Sequence, residues 1–218
     1  MTAYFISGLG ADQSIFQNLT LPEDVAVKYI QWIEPGSNER LDNYCRRLCL
    51  QIDPAEEFIL VGLSFGGMVA IEISKIIPAR YIIIISSISS KHELPFRYRI
   101  ANYFRLHKIT PGTFLKWHNR VTDWLFDAQS KQEKLLLGRF MKTVSINYLR
   151  WSMDKVLNWD HIERPDHLLH IHGTRDRILD CANTKADIKI AGGGHFMVFN
   201  RSAEVSKLIS EKLKALRQ

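Results

Sequence analysis

Short apolar runs alternate with longer amphipathic stretches along the first ninety residues. AYFIS (3–7), VAVKYIQW (25–32), EFILVG (57–62) and ARYIIIISS (79–87) are rich in β-branched and aromatic residues and predict four strands. Between them, DQSIFQNL predicts a short helix. NERLDNYCRRLCLQI, set off by Pro35 and Gly36, predicts a longer one in which Leu41, Tyr44, Leu48 and Ile52 share a face. FGGMVAIEISKII predicts a buried helix directly after the third strand. Strands this continuously apolar are covered on both faces, and their alternation with helices predicts a parallel sheet with crossover helices.

The rhythm changes at Lys91. From there to about Pro165 no strand pattern occurs, and the chain runs through aromatic-rich amphipathic stretches such as RYRIANYFRLH, FLKWHNRVTDWLF and EKLLLGRFMKTVSINYLRWSM. This block holds 12 of the 23 aromatic residues and four of the five tryptophans, so its composition sets it apart as well as its periodicity. Strand patterns resume with HLLHIHG (167–173) and ADIKIAGGG (186–194), and AEVSKLISEKLKAL predicts a final helix. The expected architecture is an α/β core formed by 1–90 and 166–218, with about six mostly parallel strands flanked by helices, interrupted by a helical insertion over 91–165.

Composition changes this picture in three ways. A chain of 218 residues fits one core with an insertion and does not require two independent domains. The net charge of +6 sits in one place: residues 91–165 carry 14 Lys and Arg against 7 Asp and Glu, which leaves −1 for the rest. That block contains no nucleic-acid recognition motif, so no nucleic-acid partner is expected; its cations form a solvated face or attract an anionic substrate such as a carboxylate or a coenzyme A tail. Cys45, Cys49 and Cys181 are too few and too uneven for a disulfide framework. MTAYFISGLGADQ lacks the basic start of a secretory signal, and YIIIISSIS is too short to span a bilayer. A cytoplasmic protein with reduced thiols and no membrane span is the expectation.

The candidate chemistry begins at GLSFGG, residues 62–67, where a G-x-S-x-G stands between a predicted strand and a predicted helix. That context makes a sharp nucleophile turn, with Ser64 exposed at the carboxyl edge of the sheet and at a helix N-terminus that favours developing negative charge. A serine alcohol needs a base to take its proton and an acid to hold the base. Asp176, in HGTRDRI after the fifth strand, and His195, in GGGHF after the sixth, stand in the chain order that such a turn calls for. Asp180 and Glu93 are the fallback acids. His170 and His172 share a strand face and His167 is close by, but no carboxylate cluster accompanies them, so packing or support of the site is favoured over metal ligation.

These motifs resemble the α/β-hydrolase superfamily over essentially the whole chain. HGTRD is similar to the family's turn bearing the triad acid, and GGGH to its histidine loop. ISGLGAD resembles the oxyanion-hole loop, with Ser7 and Gly8 where the family usually has histidine and glycine. The resemblance implies backbone N–H donors at Leu9 and Phe65 and a helical cap at 91–165. It also implies a core lacking the family's first two strands, with little helix between Asp176 and Ala186. Serine at the elbow distinguishes the chain from the family's dehalogenases and epoxide hydrolases, which carry aspartate there. The expected activity is that of a serine hydrolase, carboxylesterase-like, acting through Ser64, His195 and Asp176 on a small, partly apolar acyl substrate without metal or organic cofactor. Thioesterases, acyltransferases and C–C bond hydrolases share the same triad, and a small-molecule receptor on the same scaffold is the alternative of another class. Trp117, Trp124, Trp151 and Trp159 are the expected aromatic lining of the substrate pocket.

Overall fold

The computed structural model describes residues 1–104 and 110–216. Six strands, β1 (Thr2–Ile6), β2 (Ala26–Ile30), β3 (Phe58–Leu63), β4 (Tyr81–Ile85), β5 (Leu168–Gly173) and β6 (Ile188–Ile190), form one sheet in the order β2-β1-β3-β4-β5-β6. Every neighbouring pair is parallel. All carboxyl ends therefore lie along one edge, and chemistry carried by separate loops converges there.

Strand parity divides the core in two. Tyr4, Ile6, Phe58, Leu60, Ile82 and Ile84 face one side, where they meet helix α1 (Leu41–Leu48) and helix α2 (Phe65–Ser74). Ala3, Phe5, Ile59, Val61, Ile83 and Ile85 face the other, against Phe16 and the C-terminal helix α7 (Ser202–Ala215). Alternate side chains of a strand point to opposite faces, so strands apolar at every position become buried on both. In α1, Tyr44, Cys45 and Leu48 are buried while Arg46 and Arg47 stay outward. The α2 helix is apolar nearly all round because it lies between the sheet and other helices.

Between β4 and β5 the described chain is helical throughout: α3 (Phe96–Tyr103), a single turn at Gly112–Leu115, α4 (Arg120–Phe126), α5 (Lys131–Thr143) and α6 (Ile146–Leu157). Asn119 and Ser130 form capping boxes at the starts of α4 and α5, and Ser145 caps α6. Between Asp176 and β6 the described residues hold one 3-10 turn, Cys181–Asn183. The last strand is shorter than the pattern over 186–194 predicts. It stops at Ile190 because the glycines that follow turn the chain back onto the end of β5, with Arg175 N–H donating to Gly193 O at 2.8 Å.

Candidate active site

Ser64 sits where β3 turns directly into α2, at φ 53° and ψ −121°. A side-chain-bearing residue rarely adopts such dihedrals, and they persist only where the surroundings impose them. Here the Ser64 N–H donates to Ile85 O at 2.9 Å, and its carbonyl accepts from Gly67 N–H at 2.9 Å and from Ser87 Oγ–H at 2.6 Å. The turn is tight enough that a Cβ on Gly66 would run into the carbonyl oxygens of Ile6 and Ser7. That close approach of helix to β1 is what the glycine permits.

His195 and Asp176 arrive from β6 and β5. Those two loops are pressed together: a Cβ on Gly173 would meet the Gly193 backbone. His195 Nδ1–H donates to Asp176 Oδ2 at 2.8 Å, which leaves Nε2 as the acceptor 3.0 Å from Ser64 Oγ. His195 and Asp176 are both buried. The second carboxylate oxygen accepts the N–H groups of Ile178 and Leu179 at 2.9 and 3.0 Å. Burial by itself would raise the Asp176 pKa, but His195 and His172 outweigh it through charge and hydrogen bonding and hold the carboxyl well below its usual range.

Behind Asp176 lies a buried histidine pair on the face of β5 that continues the Ile84 side of the sheet. His172 Nε2–H donates to Leu179 O at 2.7 Å and stands 3.3 Å from Asp176 Oδ2. Its Nδ1 therefore accepts from His170 Nε2–H at 2.9 Å, while His170 Nδ1 has no partner among the described residues. Burial, with His172 beside it, pulls the His170 pKa down to about 3. The pair thus supports the acid's loop. Among the described residues no group of three His, Cys, Asp or Glu side chains could hold a metal ion.

Above Ser64 opens a cavity of about 400 Å³. Leu9, Ser64 and His195 lie on its floor, and Tyr98, Phe126, Phe140 and Met153 from the helices after β4 line its upper walls. None of the four expected tryptophans lines it. Trp151 and Trp159 are spent on core packing: the Trp151 ring lies 4.3 Å from Tyr44 and its Nε1–H donates to Glu39 O, while Trp159 donates to Glu72. Trp117 and Trp124 face solvent, each 58% exposed. A ring's place in an amphipathic stretch does not say which side of the helix meets the cavity. For that reason Tyr98, Phe126, Phe140 and Met153 were not legible as lining. A second, more polar hollow of about 330 Å³ near Asp12, Glu34 and Ser145 touches neither Ser64 nor His195.

A family model described as "Alpha/beta hydrolase family" matches residues 5–208. The chain belongs to that family. No curated protein matches the sequence. Among solved structures, a bromoperoxidase from Bacillus anthracis is similar with a TM-score of 0.74 at 15% identity, covering 98% of this chain and 91% of that one. A hydrolase from Oleispira antarctica matches with a TM-score of 0.73 at 14% identity over 98% and 90% of the two chains. A thermophilic esterase from Thermogutta terrifontis, in a malate-bound structure, gives 0.66 at 13% over 100% and 91%. At these identities the likeness is one of fold.

Within the α/β-hydrolase frame, the loop after β1 has its own solution. Ser7 Oγ–H donates to Ala11 O at 2.6 Å and accepts from Trp32 Nε1–H at 2.9 Å, so the serine braces the turn that carries Gly8 and Leu9. A Cβ built on Gly8 would lie 3.6 Å from Ser64 Cβ, which sets this loop against the serine. Among the described residues, neither the Leu9 nor the Phe65 N–H donates to a protein acceptor. The fallback acids are committed elsewhere. Glu93 is buried and accepts from Ser89 N–H, Ser89 Oγ–H and Lys185 N–H, and Asp180 caps the 3-10 turn through Ala182 N–H. The thiols are buried and unpaired, and burial raises the pKa of Cys45 and Cys49.

Proposed function

We propose that the chain is a serine hydrolase that cleaves an ester or a related acyl compound with an apolar acyl part. The observation that carries this reading is the unbroken line from Asp176 through His195 to Ser64 Oγ, at 2.8 and 3.0 Å, on the floor of an apolar cavity. His195 Nε2 takes the Ser64 proton as the alkoxide attacks the acyl carbon, and Asp176 stabilises the resulting imidazolium. The N–H groups of Leu9 and Phe65, the latter at the start of α2, receive the oxyanion. The leaving group departs with the proton from His195, and a water molecule, activated by the same imidazole, releases the acid and regenerates Ser64. Every residue needed for the two half-reactions belongs to the chain, so the reading calls for neither metal nor organic cofactor.

The helices of 91–165 serve as the cap of this site. Tyr98, Phe126, Phe140 and Met153 supply apolar surface for the acyl group, and Gly8 and Gly10 keep the opposite wall low. Thioester cleavage, acyl transfer and C–C bond hydrolysis begin from the same geometry and differ in the bond presented to Ser64. Pure binding is disfavoured because a receptor has no use for a base 3.0 Å from an activated alcohol. Three unpaired thiols accord with a reducing, cytoplasmic setting. The test is hydrolysis of p-nitrophenyl esters and acyl thioesters of graded chain length. The wild type turns over at least one series, and Ser64→Ala lowers its kcat by a factor on the order of 10⁴ or more. Equal turnover by the two proteins would remove the hydrolase reading.

A further inference from the structure

Among the described residues, all six exposed aromatic rings lie between Phe96 and Trp124. Isolated exposed apolar side chains are ordinary, but a concentration of rings in one segment is not. Phe96, Ile100 and Tyr103 recur at i, i+4 and i+7 on α3, the spacing of a buried stripe, yet they face solvent, with Phe96 71% and Tyr103 83% exposed. The next turn repeats the arrangement: Phe114 and Trp117 pack edge to face at 5.8 Å and are both exposed. On α4, Val121 and Trp124 point outward one turn apart.

These ridges are not spare core. The same helices already send Tyr98 and Phe126 inward to the cavity, so each has an inner and an outer apolar face. Charge accompanies the outer face. The described residues of 96–126 include four cations, Arg97, Arg99, Lys116 and Arg120, against one acid, Asp123, and that acid is engaged by His118 at 2.7 Å. Arg99 and Arg120 are exposed on the same two helices, while Arg97, also exposed, donates to the carbonyls of Arg177 and Ile178. Aromatic rings flanked by arginines fit the headgroup region of a bilayer containing anionic lipid, where rings enter the boundary and guanidinium groups meet phosphates. A protein partner would need matching pockets for the rings and matching acids for the arginines; a lipid surface supplies both without register.

We propose that the outer face of α3, the Gly112–Leu115 turn and α4 docks on an anionic lipid surface. Because Tyr98 and Phe126 belong to the same helices, docking brings the cavity's own walls to the lipid boundary. The binding does not depend on the hydrolase reading and is tested without turnover, using full-length Ser64→Ala. Its partition onto phosphatidylcholine vesicles containing phosphatidylglycerol is expected to exceed that onto phosphatidylcholine alone by about tenfold and to fall in high salt. Tyr103→Ser with Phe114→Ser is expected to weaken it by about tenfold or more, and Arg99→Glu with Arg120→Glu to abolish the preference for the anionic lipid. Tryptophan emission should shift to the blue on binding, less so in Trp117→Phe. Absence of binding, equal binding to neutral vesicles in low and high salt, or full binding by both double variants would overturn the proposal. A concentration-dependent dimer that Tyr103→Ser dissolves, with no vesicle binding, would assign the face to a second copy of the chain instead. The salt and lipid dependence of the unsubstituted surface decides the matter even if a variant folds poorly.

Discussion

Ser64 is held in its strained backbone by groups at the ends of two neighbouring strands: Ile85 from β4, Ser87 just beyond it, and the end of β1 pressing on Gly66. Gly66→Ala is therefore expected to cost about 3 kcal/mol or more, since neither colliding carbonyl belongs to a movable side chain; a Tm within a degree or two of the wild type would contradict this. His170 is one source of acid sensitivity. Its folded pKa, about 3, lies below the ordinary 6.5, so between those values the unfolded chain binds a proton that the folded chain refuses. Stability from this group is whole above pH 6.5 and is lost as the pH falls toward 3. His170→Asn should make the unfolding free energy less steep with pH over that window in chemical denaturation, while lowering stability at neutral pH through the lost bond to His172. An unchanged slope would show that His170 is not the group responsible. Ser64, Asp176 and His195 were readable as candidates because a nucleophile turn and two post-strand loops leave local marks in sequence. The second tier was not: nothing local marks Ser7 as the brace of the Leu9 turn or His170 as the support of His172, since both roles depend on contacts made across the fold.

At the scale of elements, the first five strands were legible to within a residue or two because residues apolar at every position admit few alternatives once helices alternate with them, whereas the sixth stops at Ile190, short of the glycine run expected to belong to it. The long helix expected over 38–52 resolves into Leu41–Leu48 and a 3-10 turn, Cys49–Gln51. There the chain must tighten before entering β3. Helices α3 to α6 were legible as helices but not as surfaces, because aromatic residues occupy several sides of each. The expected tryptophan lining failed for that reason: Trp151 was drawn to Tyr44 and Trp124 to the Arg177 guanidinium, 4.5 Å away, and not to the cavity. The lining that replaced it yields a specificity prediction. Met153→Phe on α6 takes space from a cavity of about 400 Å³ and should shift the kcat/KM preference toward shorter acyl groups, by about tenfold between the shortest and longest esters turned over. An unchanged chain-length profile would mean that the acyl group lies elsewhere.

For the whole molecule, the parallel sheet gathers four loop ends at one edge, and the helices between β4 and β5 close over them with one face while presenting rings and arginines with the other. The charge excess of that segment was plain in the sequence; which of its residues stand outside was not, because burial is settled by how helices pack on α6 and not by composition. No described helix is long and apolar enough to cross a membrane. The chemistry proposed for the molecule rests on Ser64 as a nucleophile activated by His195. A fluorophosphonate probe followed by mass spectrometry of the labelled peptide tests it most directly. The expected result is one phosphonyl adduct on Ser64, absent in Ser64→Ala and slowed at least about a hundredfold in His195→Ala. An unlabelled wild-type protein, or equal labelling of Ser64→Ala, would contradict it.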